Sequence, residues 1–207
     1  MKIAVDAMGG DDAPEVVVQG ALEAASKFGI HVILVGHEEK LKGLVGNPTA
    51  DNLVSIHHCE DAVAMDESPL KALRKKKDSS IRVAFGLVKQ GHADAVISAG
   101  NSGATLAAGV LALGRIPGVE RPAIASIIPT EKGPVILIDA GANVDCRPGQ
   151  LFQFGVMAHA FGCSCLDMED PEIALLNIGE EGSKGNELVR YAYDLFEKSS
   201  LNFAGNI

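Results

Sequence analysis

The uncharged run from Ala95 to Gly114 limits most sharply what this chain can become. Its opening, Ala95 to Ser98, is a short apolar stretch that reads as a buried parallel strand. Gly100, Asn101, Ser102 and Gly103 then break the pattern and supply turn residues and a helix cap. Leu106 to Leu113 is rich in Ala and Leu and reads as a helix. Strand, glycine turn and helix together aim unpaired backbone N–H groups, and the positive end of the helix dipole, at an anion. The same small residues also suit a helix packed closely on a sheet, with Asn101 or Ser102 as a plain cap. A third reading is a nucleophile elbow at Gly100–Ala104, although Ala104 stands where that motif needs glycine. An elbow serine requires a histidine further along, and His159 is the one that follows.

The run is long enough to cross a bilayer, but Gly, Asn, Ser and Thr cluster at its turn, so it reads as buried core. The stretch Pro148 to Leu166 holds two Gln and a His and reads likewise. A chain of 207 residues suffices for one α/β domain over residues 1–207. Its 23 glycines suit a fold with glycine-turned connections. A net charge of −9 and 4% aromatic residues, with no Trp, argue against nucleic-acid binding. An acid at Asp6 comes too early for a signal peptide. Cys59, Cys146, Cys163 and Cys165 lack zinc or redox spacing, and Cys163 and Cys165 are too close for an ordinary disulfide, so mostly buried, reduced thiols in a cytoplasmic protein are expected, with reactive thiols as the alternative.

Strands are expected at Ile3–Ala7, Val32–Val35 and Val54–His58, with helices from Pro14 to about Phe28 and from about Glu38 to Leu44. A loop through Gly46, Asn47 and Pro48 separates the last two. Asp61–Glu67 reads as an acidic loop, Ser68-Pro69 opens a helix, and Ile81–Lys89 is another. After the central unit come strands at Ala123–Ile128 and Val135–Ile138 with a hairpin-like link, and a helix over Gln150–Phe161. A strand at Ile173–Ile178 and a helix from about Asn186 to Lys198 complete the pattern. Such alternation predicts a doubly wound, mostly parallel sheet with helices on both faces. Ligands of such sheets sit beyond the carboxyl ends of the strands. Asp6–Asp12, Gly100–Thr105 and Gly141–Asp145 all follow strands and are candidates to converge there.

Lys71, Arg74, Lys75, Lys76, Lys77 and Arg82 form a local basic cluster in an acidic chain. It fits a solvated helix face, or a landing patch for an anionic substrate or acidic partner. Asp139 and Asp145 fit a metal or ligand-orienting role, and equally a cap or turn. Lys184 lies between Gly182 and Gly185 at a strand-to-helix turn, where it can meet a phosphate as a point charge. The run is no Walker motif, and no Gly-x-Gly-x-x-Gly follows the first strand.

Six stretches in order resemble the bacterial phosphate acyltransferases of phospholipid synthesis. They are Asp6–Asp11, Pro69–Arg74 with Lys76–Ile81, Ile97–Ala104, Gly118–Pro122, Asp139–Asp145, and Leu176–Glu181 with Ser183–Asn186. The resemblance covers the whole chain. Family members are considerably longer, so the chain is expected to be the N-terminal portion of a longer one.

The resemblance implies transfer of a fatty acyl group from the thioester of acyl carrier protein to inorganic phosphate, giving acyl-phosphate. It also implies a fold like isopropylmalate dehydrogenases and phosphotransacetylases, a homodimer, and no metal or organic cofactor. A cytoplasmic location is implied, with peripheral attachment to the inner face of the membrane and association with enzymes of acyl-glycerol-phosphate synthesis. Under this reading Lys184, Asn101, Asn143 and Asn186 are the catalytic candidates. Lys184 meets phosphate or oxyanion charge, and Asn143 and Asn186 orient substrates. Gly100, Ser102, Gly103, Ala104 and Thr105, with Asp6, Gly9, Gly10, Asp139 and Asp145, are the phosphate- or substrate-binding candidates. Lys71, Arg74, Lys75, Lys76 and Lys77 become a docking patch for the acidic carrier protein. The alternatives are a coenzyme A-dependent phosphate transacylase, an oxidoreductase of the same broad fold, or a non-catalytic anion-binding module.

Overall fold

The computed structural model describes residues 1–46, 53–182 and 184–207; Asn47 and Pro48 of the expected loop, and Ser183, lie outside them. The chain divides into two compact units, Met1–Gly114 and Arg115–Ile207. Each is described by itself.

The first unit is built on strand β1 (Lys2–Asp6), whose residues are buried from Ile3 onward. A strand apolar on both faces needs cover on both, and the chain supplies it. Ile3 and Val5 point to one side, with Val32 and Leu34 of β2 (His31–Gly36), against α1 (Glu15–Phe28) and α2 (Glu38–Val45). Ala4 and Val35 point to the other, against Ala84 and Leu87 of α4 (Ser80–Lys89). The sheet is parallel with order β3-β2-β1-β4, where β3 is Val54–His58 and β4 is Ala95–Ser98. The chain therefore winds outward from β1 to β3 and returns to the far side of β1. The crevice beyond the carboxyl ends of β1 and β4 is where the winding reverses.

Helix α5 (Ser102–Leu113) starts four residues before the expected Leu106. Asn101 causes this: its side-chain oxygen accepts the Ala104 N–H at 3.0 Å and caps the helix. Gly103 permits it as well, because a Cβ there would stand 2.7 Å from Pro69 of α3 (Pro69–Lys75).

In the second unit, β5 (Ala125–Thr130) and β6 (Gly133–Ile138) form an antiparallel hairpin, matching the expected hairpin-like link. Strand β5 is displaced by two residues from the expected Ala123–Ile128, since Pro129 pairs opposite Pro134 in the ladder. Helix α6 (Pro148–Cys165) and helix α7 (Glu187–Glu197) pack over the parallel pair β7 (Ile173–Leu175) and β8 (Phe203–Asn206). Strand β7 ends before the expected Ile178, because Asn177 turns its amide into the following loop, donating to the Lys184 carbonyl at 3.1 Å. Phe196 is the centre of this core, 5.0 Å from Phe152 and stacked 5.1 Å from Phe203. Among the described residues no helix is long and apolar enough to cross a membrane.

Only Cys59 of the four cysteines is fully buried; Cys146 and Cys163 are half-buried and Cys165 is exposed, which corrects the expectation of mostly buried thiols. Cys146 lies in the loop before α6, and Cys163 and Cys165 at the end of α6, outside the buried cluster around Phe196.

Candidate active site at the sheet's switch point

Two loops meet where the winding of the first sheet reverses. Asp6 ends β1 and Ser98 ends β4, and the two strands pair in register there. The Ser98 hydroxyl donates to Asp6 Oδ2 at 2.8 Å, and the Gly100 N–H donates to Ser98 Oγ at 3.1 Å. Asp6 is 3% exposed, and its Oδ1 is buried without a hydrogen-bond partner. The loops touch through backbone: a Cβ on Gly9 would lie 3.1 Å from the Gly100 Cα and 2.5 Å from Asp6 Oδ2. Gly10, at φ +125, brings its backbone against Ala99. Asp6, Gly9, Gly10 and Gly100 are thus brought to one corner.

The first turn of α5 forms the next wall. Ser102 and Gly103 occupy its first two positions, whose N–H groups have no intrahelical acceptor. Asn101 is committed elsewhere: besides the cap, its Nδ2 donates to the Met65 and Glu67 carbonyls, each at 3.0 Å. The Thr105 hydroxyl donates to the Asn101 carbonyl at 3.2 Å. Asn101 therefore staples the loop from Ala64 to Glu67 to the α5 terminus. This wall is not visible in the sequence, since nothing local links Asn101 to residues over thirty positions earlier.

A second clip holds the same loop. Lys76 Nζ donates to Glu67 Oε2 at 2.6 Å and to the Ala62 carbonyl at 2.7 Å, and Glu67 Oε2 also accepts the Ala64 N–H at 2.9 Å. Lys76 is thereby withdrawn from the basic cluster, while Lys71, Arg74, Lys75 and Lys77 stay exposed. The Arg82 guanidinium is likewise used, donating to the Leu73 carbonyl at 2.8 Å. The Lys76 hydrogen bond, and then the Ala64 N–H, hold the Glu67 carboxyl below the usual carboxylate range. A folded-state pKa depressed in this way contributes stability above the unfolded-state value, and loses it as pH falls through the folded one. Glu67→Gln is therefore expected to lower the thermal midpoint at neutral pH and to flatten its fall on acidification. Parallel acid titration curves for parent and variant would show that the clip carries no linkage.

The remaining sequence candidates lie in the second unit. Asp139 organises its own loop: Oδ1 accepts the Ile124 N–H at 2.8 Å and Oδ2 the Asn143 N–H at 2.7 Å. Asn143 Nδ2 donates to the Pro122 carbonyl at 3.0 Å, and Arg121 to the Asp145 carbonyl at 2.9 Å. The Gly118–Pro122 and Asp139–Asp145 stretches thus lie side by side. Asn186 caps α7 by accepting the Val189 N–H at 3.0 Å. Lys184 sits in an exposed turn closed by its own N–H to the Glu181 carbonyl at 2.9 Å. Asn206 at the end of β8, 5% exposed, supports that turn by donating to the same carbonyl at 2.9 Å. Sequence reading passed over Asn206, whose role depends on a strand it did not predict. The elbow reading of Ser102 gains nothing from His159, whose ring nitrogens face Cys163 and Asp170.

Comparison with known proteins agrees with this architecture. A phosphotransacetylase from Staphylococcus aureus superposes with a TM-score of 0.69 at 20% identity, covering all of this chain and 68% of that one. A branched-chain phosphotransacylase from Enterococcus faecalis superposes at 0.62 and 17% identity, with the same coverage. These likenesses establish the doubly wound α/β fold. In sequence, a protein of Desulforamulus reducens named phosphate acyltransferase is 51% identical over 207 residues, all of this chain and 62% of that protein. A phosphate acyltransferase of Nitratidesulfovibrio vulgaris is 52% identical over 207 residues, 60% of its length. The chain thus spans about 60% of the length of these curated relatives. The sequence model described as fatty acid synthesis protein matches residues 1–207. With every residue matched, the chain belongs to the fatty acid synthesis protein family.

Proposed function

We propose that the protein containing this chain moves a fatty acyl group from the thioester of acyl carrier protein to inorganic phosphate. The observation that carries the reading is the identity of 51% and 52%, over 100% and 99% of the chain, to proteins named phosphate acyltransferase. A phosphate oxygen attacks the thioester carbonyl carbon, the C–S bond breaks, and acyl-phosphate and the carrier thiol leave. The chemistry needs positioning and charge stabilisation rather than a cofactor.

The first-turn N–H groups of α5 at Ser102 and Gly103 suit a phosphate, being free donors at a positive helix end. Asn101 and Thr105 serve by holding that terminus, and Asp6 by joining the two loops from beneath. Lys184 supplies positive charge to the substrate, and Asn143 and Asn186 keep their loops in shape. Exposed Lys71, Arg74, Lys75 and Lys77 form the docking patch for the acidic carrier protein. A homodimer, and a peripheral place at the inner face of the cytoplasmic membrane beside enzymes of acyl-glycerol-phosphate synthesis, complete the proposal.

The test is phosphate-dependent release of carrier thiol, with acyl-phosphate formed in equal amount, by the full-length protein. Thiol release that ignores phosphate would overturn the reading. Lys184→Ala should lower turnover about 10²–10³-fold, the usual cost of removing one charge-stabilising donor. Near-parental turnover would remove Lys184 from the machinery while leaving the reaction standing.

A further inference from the structure

Helix α6 carries His159 and Cys163 one turn apart on one face. Cys163 Sγ lies 3.8 Å from His159 Nδ1, and the other ring nitrogen, Nε2, lies 3.5 Å from Asp170 Oδ1. Asp170 is held there by the backbone. The Met168 N–H donates to the Gly162 carbonyl at 3.2 Å and folds the post-helical loop back on α6, and Asn202 Nδ2 donates to the Asp170 carbonyl at 3.2 Å. Thiol, imidazole and carboxylate stand in the order of nucleophile, base and orienting group. Among the described residues no group of three His, Cys, Asp or Glu side chains is arranged to hold a metal.

We propose that Cys163 is a nucleophilic thiol that forms mixed disulfides with small disulfides, with His159 as its base and Asp170 as a positioning residue. A carboxylate 3.5 Å from Nε2 favours the tautomer protonated there, which leaves Nδ1 to accept the thiol proton. The resulting thiolate attacks one sulfur of the small disulfide, the S–S bond breaks, and the other half departs with the proton from the imidazolium. The Glu169 carbonyl, 3.8 Å from Cys163 Sγ, is a second acceptor for the thiol proton, so the thiol must turn to His159 before it reacts.

The other thiols compete poorly. Burial pushes the Cys59 thiol up to about 12, and burial also raises that of Cys146. Cys165 is exposed and, among the described residues, has no hydrogen-bonded base beside it, and two residues along a helix place it on the opposite side from Cys163. It cannot resolve the adduct while α6 is intact, so the mixed disulfide persists until an external thiol removes it.

The experiment treats the protein with 2-hydroxyethyl disulfide, a neutral probe, at pH 7 and follows each cysteine by peptide mass. Cys163 is expected to react about fivefold or more faster than the more exposed Cys165. His159→Gln should remove that advantage, Asp170→Asn should lower it, and Asp170→Glu should restore part of it. Labelling of Cys165 first, or an unchanged Cys163 rate in His159→Gln, would overturn the proposal. The comparison of Cys163 with Cys165 in the parent decides the matter even if a variant misfolds.

Discussion

Gly9→Ala is expected to reduce turnover of the full-length protein about a hundredfold with the sheet intact, since roughly 1 Å of misplacement in a site can cost that much. The added methyl would stand 2.5 Å from Asp6 Oδ2 and 3.1 Å from the Gly100 Cα. Neither neighbour can yield cheaply. Asp6 is buried and bonded to Ser98, and Gly100 is backbone at the carboxyl end of β4. The loops must separate, and the α5 terminus moves with them. Gly20→Ala in α1 is the control, because a Cβ there meets nothing within 4 Å. Turnover of Gly9→Ala within twofold or so of Gly20→Ala would mean that the two loops need not touch.

The largest stability effect is expected at Phe196, which is 1% exposed and in contact with aromatic rings from α6 and β8. Phe196→Ala should destabilise the second unit by about 3–5 kcal/mol, through lost burial and the cavity left behind. Urea titration gives the magnitude, and amide hydrogen exchange places the loss at α6, α7 and β8. Gly155→Ala tests the same contact from the other side, since its Cβ would fall 2.5 Å from the Phe196 ring. A shift below about 1 kcal/mol for Phe196→Ala would mean that the site collapses around the deletion.

The first unit was legible because its signals are local and consistent. Each strand of the β3-β2-β1-β4 sheet was expected within a residue or two, as apolar runs closed by Gly, Asn or an acid. Of the three stretches expected to converge because they follow strands, Asp6–Asp12 and Gly100–Thr105 meet in the first unit, whereas Gly141–Asp145 belongs to the second. Less legible were elements whose reason is distant. Strand β8 contains Gly205 and Asn206, poor strand formers, and exists because β7 offers it a ladder. Candidate roles suffered similarly. Asn101 and Asn186 look like ligands in sequence, yet their side chains accept helix-terminal N–H groups, a use that residue type and position equally predict. Lys76 looked like part of a basic patch until the fold brought Glu67 to it. Sequence distinguishes the kind of residue a loop needs, but not which partner claims it.

The strand order has a consequence for how the site comes into being. Strand β1 meets β2 through pairs such as Ile3 with Val32, but meets β4 through pairs such as Ile3 with Ala95. The corner holding Asp6 and Ser98 is therefore closed by the most distant strand pairing of the first unit. A nascent chain can zip β1, β2 and β3 together while the edge destined for β4 is still bare, and loop-closure entropy makes that final pairing the slow one. The same logic runs backward in the mature protein. Release of β4 alone would part Asp6 from Ser98 while sparing the β3-β2-β1 pairings, so local opening at this edge is expected to dismantle the corner before the sheet unfolds.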